Sequence, residues 1–196
     1  MLKIKDNNHI KNENLKKKIA LLRQKTKCYL HLDVLGGLPF DTYLDFCKSL
    51  DDVARMEPED IQISLVKILH GTPYEYYAKD GHIFYMSEPP YTVLRTDWLK
   101  PEEAVMISQI SKLAEGTVNT GRFNATLKAL RENFFEDSLS KLLESMVYYW
   151  RQEKLLFYNF SPENTVKHLT SFIEYSIKAQ SKSKFLLALL NHELRL

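Results

Sequence analysis

The chain has 196 residues, 44% hydrophobic and 27% charged, the composition of an ordinary soluble globular protein with enough apolar side chain to bury a core. Its formal net charge of +2 singles out neither nucleic acid nor an anionic membrane as a partner. Cys28 and Cys47 are too few for a disulfide framework and too distant for a ligand pair, so a reducing cytoplasm is the expected setting.

The opening residues, MLKIKDNNHIKNENLKKK, are polar, with no apolar stretch of signal-peptide or membrane-spanning length. Over 14–25, Leu15, Ile19 and Leu22 recur at helical spacing and predict an amphipathic helix. Lys16, Lys17, Lys18, Arg23 and Lys25 then form its solvated face. A strand is expected over 28–35, ended by Gly36, Gly37 and Pro39. The next helix carries Leu44, Cys47, Leu50 and Val53 on one face, with Asp41 or Thr42 as N-cap. A second strand is expected over 61–68, between Pro58 and Gly71. Thr72 as N-cap and Pro73 in the first turn then open a short helix that stops at Gly81.

Helix, strand, helix, strand is the order of parallel α/β structure. Two parallel strands need both faces covered and their edges paired. The chain is therefore expected to be the end of a larger sheet, truncated at its N-terminal side. The stretch HIFYMSEPPYTVLRT is aromatic, and its proline pair forbids a continuous helix; it is read as a crossover, with a linker over 87–99. Helices are expected over 101–114, 124–133, 138–155, 163–179 and 183–194, the first opened by Pro101, Glu102 and Glu103.

Several residues bear on chemistry. Strand alternation places His31, Asp33 and Leu35 on one face, near the carboxyl end of a strand, where ligands of parallel α/β proteins bind. His31 beside Asp33 suits a general acid/base pair or two interior residues satisfying each other. Gly36 and Gly37 would let backbone approach a ligand, or merely turn the chain. Lys67 and the amides after Thr72 offer an anion cradle, or a surface lysine and an ordinary cap. The other histidines, His9, His70, His82, His168 and His192, show no zinc spacing. In NTGRF, residues 119–123, Gly121 is expected at positive φ and Arg122 is read as a docking residue between domains. Tyr148, Tyr149, Trp150, Phe157, Tyr158 and Phe160 form either a helical core or a stacking surface for a planar ligand.

HLDVLGGLPFDT followed by DIQISLVKILHGTP resembles the end of the catalytic core of radical S-adenosylmethionine enzymes, above all those with an N-terminal cobalamin-binding domain. EPPYTVLRTDWLKPEE and NTGRF look like the helical domain of unassigned function appended to one branch of them. The resemblance implies an α/β fragment, the last two strands of a partial β/α barrel, over 1–86, and an all-α helical domain over 87–196. The chain as a whole is mostly helical on this reading. By that resemblance Leu35, Gly36, Gly37 and Pro39 on the first strand and its turn, and Leu65 and Lys67 on the second, face the adenine of S-adenosylmethionine or the substrate. Asp33 and Phe40 stand where the family's loose pattern has glycine and glutamate. The cluster-binding Cys-x-x-x-Cys-x-x-Cys is absent, so iron–sulfur cluster and cobalamin would be bound by parts of a parent protein not in this chain. Relatives of this type are often labelled oxidative cyclases of magnesium-protoporphyrin monomethyl ester. The implied partner is the missing N-terminal part of the parent, with self-association through an exposed strand edge also open. A stand-alone, non-catalytic helical interaction module is the alternative.

Overall fold

Of the apolar repeat Leu15, Ile19 and Leu22 in the first helix, Ile19 alone is buried, whereas Leu15 and Leu22 are exposed. In the computed structural model, which describes residues 8–155, 157, 160–177 and 180–193, α1 spans Asn8–Lys25. Lys16 meets Asp52 at 3.1 Å and Arg23 meets Glu59 at 3.3 Å, with a further bond from Arg23 to the Glu57 carbonyl. Two of the basic residues expected on a solvated face thus tie the helix to the chain beyond it.

Strand β1 (His31–Gly36) and strand β2 (Asp60–Leu65) pair in parallel, with Val34 opposite Ile63 and Gly36 opposite Leu65. Between them runs α2 (Tyr43–Ala54), whose N-cap is Thr42 rather than Asp41. The Thr42 hydroxyl accepts from the Asp45 N–H, and the Asp45 carboxylate takes the Thr42 N–H at 3.0 Å, a reciprocal cap that fixes where the helix starts. Phe46, Leu50 and Ala54 form its buried face. Leu44 is 67% exposed, so the packed face is rotated from the predicted one, and Cys47 and Val53 lie at its margin.

Beyond Leu65 the chain departs from expectation. The second strand does not continue to residue 68: at Val66 it leaves β1 and meets a later segment. Ile68 N–H donates to Tyr91 C=O and Val93 N–H to Val66 C=O, both at 2.9 Å, with Lys67 opposite Thr92. After the short helix α3 (Pro73–Lys79), the expected crossover is an antiparallel hairpin of β3 (Ile83–Tyr85) and β4 (Val93–Thr96). Pro89 and Pro90 fall in its loop, where their missing N–H groups interrupt no ladder. The boundary expected after residue 86 falls inside this hairpin. Val93 and Leu99, in the expected linker, are buried. Val66, Ile68, Ile83 and Val93 make a small second core beside Tyr74 and Tyr77 of α3.

The helices that follow are α4 (Pro101–Gly116), α5 (Asn124–Phe134), α6 (Leu139–Gln152), α7 (Pro162–Ser176) and α8 (Gln180–Glu193). The ends expected at Ala179 and Leu194 lie outside the described residues. The chain is mostly helical, as anticipated, and its described strands form two sheets of two strands each. Val34, Ile61 and Ile63 of the parallel sheet, Phe46 and Leu50 of α2, and Ile107 and Ile110 of α4 share one core with Leu142, Trp150, Phe172 and Leu190 of the later helices.

Candidate functional site

The parallel sheet is two-faced. Val34, Ile61, Ile63 and Leu65 point into the core, where α2 covers β1 and α4 covers β2. On the other face His31, Asp33, Leu35 and Gln62 are exposed and Asp60 and Ser64 half-buried. Such an open polar face is unusual for parallel strands, which normally carry helices or further strands on both sides.

On that face His31 lies between two carboxylates, Nδ1 to Asp60 at 2.5 Å and Nε2 to Asp33 at 3.0 Å. Only the imidazolium can donate to both. Its pKa is raised, chiefly by the bond to Asp60, which outweighs the lowering by desolvation, with a further rise from the bond to Asp33. The trio occupies the amino-terminal ends of the strands, opposite the end where Leu35 and Ser64 stand paired in register.

The two outer edges of the sheet differ. Leu30 C=O accepts from Asp60 N–H at 3.2 Å and Gly36 C=O from Val66 N–H at 2.9 Å. Even-numbered residues therefore carry the ladder, and odd-numbered residues turn their N–H and C=O groups outward. Along β2 that edge is closed by side chains. Asn119 accepts from Ile61 N–H at 3.1 Å through Oδ1 and donates to Ile61 C=O at 3.0 Å through Nδ2, while Ser111 Oγ donates to Ile63 C=O at 2.7 Å. Along β1 the edge at His31, Asp33 and Leu35 has no strand beside it among the described residues.

Beyond Ser111 a cleft of about 480 Å³ opens around the end of β2, between its polar face and α4, lined among others by Gln62, Ser64, Leu65, Lys67, Thr92 and Ser108. Of the residues singled out from the sequence, Leu35 and Lys67 are exposed, whereas Gly36, Gly37, Pro39 and Leu65 are buried. A Cβ at Gly36 would lie 2.6 Å from Ile107 Cδ1. One at Gly37, whose φ is +83°, would lie 3.1 Å from Val93 Cγ1. The glycine pair is thus explained by the close approach of α4 and β4 and by a left-handed turn. An adenosyl group at this strand end would find side-chain contact at Leu35 and Lys67. Phe40 packs on Trp98 with ring centroids 4.5 Å apart.

At the anion cradle expected around Thr72, the hydroxyl and the preceding amide are engaged within the chain. Thr72 Oγ1 donates to Leu69 C=O, and Glu75 accepts from Gly71 N–H at 3.0 Å. That N–H, with Lys79 and then His70, holds the Glu75 carboxyl down at about 2. Arg122 is exposed; docking in NTGRF falls to Asn119, while Gly121 has the expected positive φ of 69°. Asn119 carried no sequence signal beyond its place in a turn. The aromatic group divides: Trp150 and Tyr149 are buried against Phe172 and His168, and Tyr148 is 56% exposed. Tyr158 lies outside the described residues. Among the described residues no three His, Cys, Asp or Glu side chains gather to hold a metal, so they offer no ligand set for an iron–sulfur cluster. No helix among them is long and apolar enough to cross a membrane.

A family model described as "Protein of unknown function (DUF4080)" matches residues 79–194. No curated protein matches the chain.

Proposed function

The chain belongs to the DUF4080 family, and from that premise we propose that it is the C-terminal portion of a radical S-adenosylmethionine enzyme of the oxidoreductase or methyltransferase type, working in a reducing cytoplasm. In this reading β1 and β2 are the last two strands of a partial β/α barrel. The observation that carries it is the parallel pair itself, with one face covered, the other open and polar, and the outer edge of β1 without a strand beside it among the described residues. Parallel strands in this condition call for further strands along the free edge and for a filled space over the open face.

The cluster and S-adenosylmethionine, held largely by the preceding strands of the parent protein, would supply the radical chemistry. This chain's own part is positional. Leu35 would contribute apolar contact on the open face, and Lys67 would place a positive charge at the end of β2. The His31 trio, remote from that end, would fasten the strand starts. Cobalamin would likewise belong to the upstream part, and the substrate could be that of an oxidative cyclase of magnesium-protoporphyrin monomethyl ester.

The test is the size of the natural product in source cells, read by immunoblot with an antibody raised against this chain. A band far larger than 23.0 kDa, from a reading frame that encodes the cysteine triad upstream, supports the proposal. A band at 23.0 kDa overturns it and favours a stand-alone helical interaction module.

A further inference from the structure

The cleft at the end of β2 holds a charge that none of the described residues answers with an ion pair. Its two carboxylates are engaged, Asp60 with His31 at 2.5 Å and Glu115 with Lys112 at 2.9 Å, and the latter pair also satisfies Lys112. Lys67 is exposed, and among the described residues it enters no ion pair within 4.0 Å. Thr92 stands directly across from it in the bridge that ends β2. Ser64 faces the same space, and alternation turns the Leu65 N–H toward it. Asn119 and Ser111 already occupy the edge at Ile61 and Ile63. A peptide strand therefore cannot pair along β2, and what remains is a short, concave donor group suited to a compact ligand.

We propose that this cleft binds an anionic group, a carboxylate or a phosphate, with Lys67 as counter-charge and the Leu65 N–H and the Ser64 and Thr92 hydroxyls as donors. Hydrogen bonds in which one partner is ionised are about twice as strong as neutral ones, so Lys67 dominates recognition and the hydroxyls orient the group. The site uses only residues of this chain, and it stands whether or not the sheet is completed by a parent barrel.

The experiment is a titration of the full chain with inorganic phosphate and, separately, with succinate at low ionic strength, followed by backbone amide NMR. Saturable shifts are expected at Leu65, Lys67 and Thr92. Lys67→Met should weaken binding about tenfold, the loss of one charge-assisted contact, while Lys67→Arg retains it and Lys48→Met, on α2, leaves it unchanged. Saturation by phosphate alone assigns a phosphate site and by succinate alone a carboxylate site; either supports the proposal. No saturation by either anion, shifts that cluster elsewhere, or wild-type affinity in Lys67→Met overturns it. Should Lys67→Met lose its native spectrum, Lys67→Gln is read in its place.

Discussion

His31 and Cys47 show how surroundings set a side chain's chemistry. The His31 pKa is raised by Asp60 and Asp33, so folding favours the proton. The resulting stabilisation is complete below the unfolded-state pKa and disappears as pH rises through the folded-state value. The difference in thermal midpoint between the native chain and His31→Gln should therefore be larger near about pH 5.5 than near about pH 9. Its size is modest, because the side chain is 44% exposed and water screens both pairs. Equal midpoint differences at both pH values would show that the imidazole acts by packing alone. The two thiols should separate as clearly. Burial pushes Cys47 up to about 11, which leaves almost no thiolate at neutral pH, whereas Cys28 is exposed. Iodoacetamide at neutral pH should label Cys28 in the folded chain and both residues only after unfolding, as mass spectrometry of the digests would read.

Between elements, single carboxylates do the joining. Asp51 of α2 accepts from Ser140 N–H and from the Ser138 hydroxyl, both at 2.8 Å, and from the Ser140 hydroxyl at 3.1 Å. It thus caps the start of α6 from another helix, where a negative charge also meets the helix dipole favourably. Asp51→Ala should lower stability by about 2–3 kcal/mol, since it removes a charged acceptor and strands buried donors; urea unfolding would read the loss, and a change below 0.5 kcal/mol, about that of an ordinary surface substitution, would deny the role. Glu193 of α8 works similarly on α5, taking Ala125 N–H at 2.7 Å and Thr126 N–H at 3.1 Å, because the N-cap residue Phe123 has no side chain able to do so. Neither joint could be read from sequence, since each pairs residues 67 or more positions apart. What was legible was local. Pro101 and Glu103 announced α4, helices were expected close to where α5 through α8 lie, and the glycine and proline residues announced the ends of β1 and α3. The hairpin escaped because its strands are three and four residues long, too short to display alternation against the prolines between them. The candidate cleft was legible only through Leu65 and Lys67 on β2; its other wall, on α4, carried no signal in the sequence.

At the scale of the whole molecule, the two outer edges of the parallel sheet make opposite predictions for hydrogen exchange. The edge of β2 is satisfied within the chain, by the Asn119 amide standing in for a neighbouring strand residue and by Ser111. The edge of β1 has no described strand beside it, and its odd-numbered amides face outward. In the isolated chain, then, amides of Leu32 and Val34, which point into the ladder, should exchange slowly, and those of His31, Asp33 and Leu35 close to the rate of unprotected peptide. Ile61 should be protected despite its edge position, and Asn119→Ala should speed its exchange about tenfold or more while leaving Val34 little changed, because the substitution frees one local bond rather than the core. If the sheet is completed by preceding strands in a longer parent, the three fast amides of β1 become slow there while Ile61 does not change, since its partner is already present. Slow exchange at His31, Asp33 and Leu35 in dilute isolated chain would mean that the edge is covered without any added strand, and concentration dependence of that protection would identify a second copy as the cover.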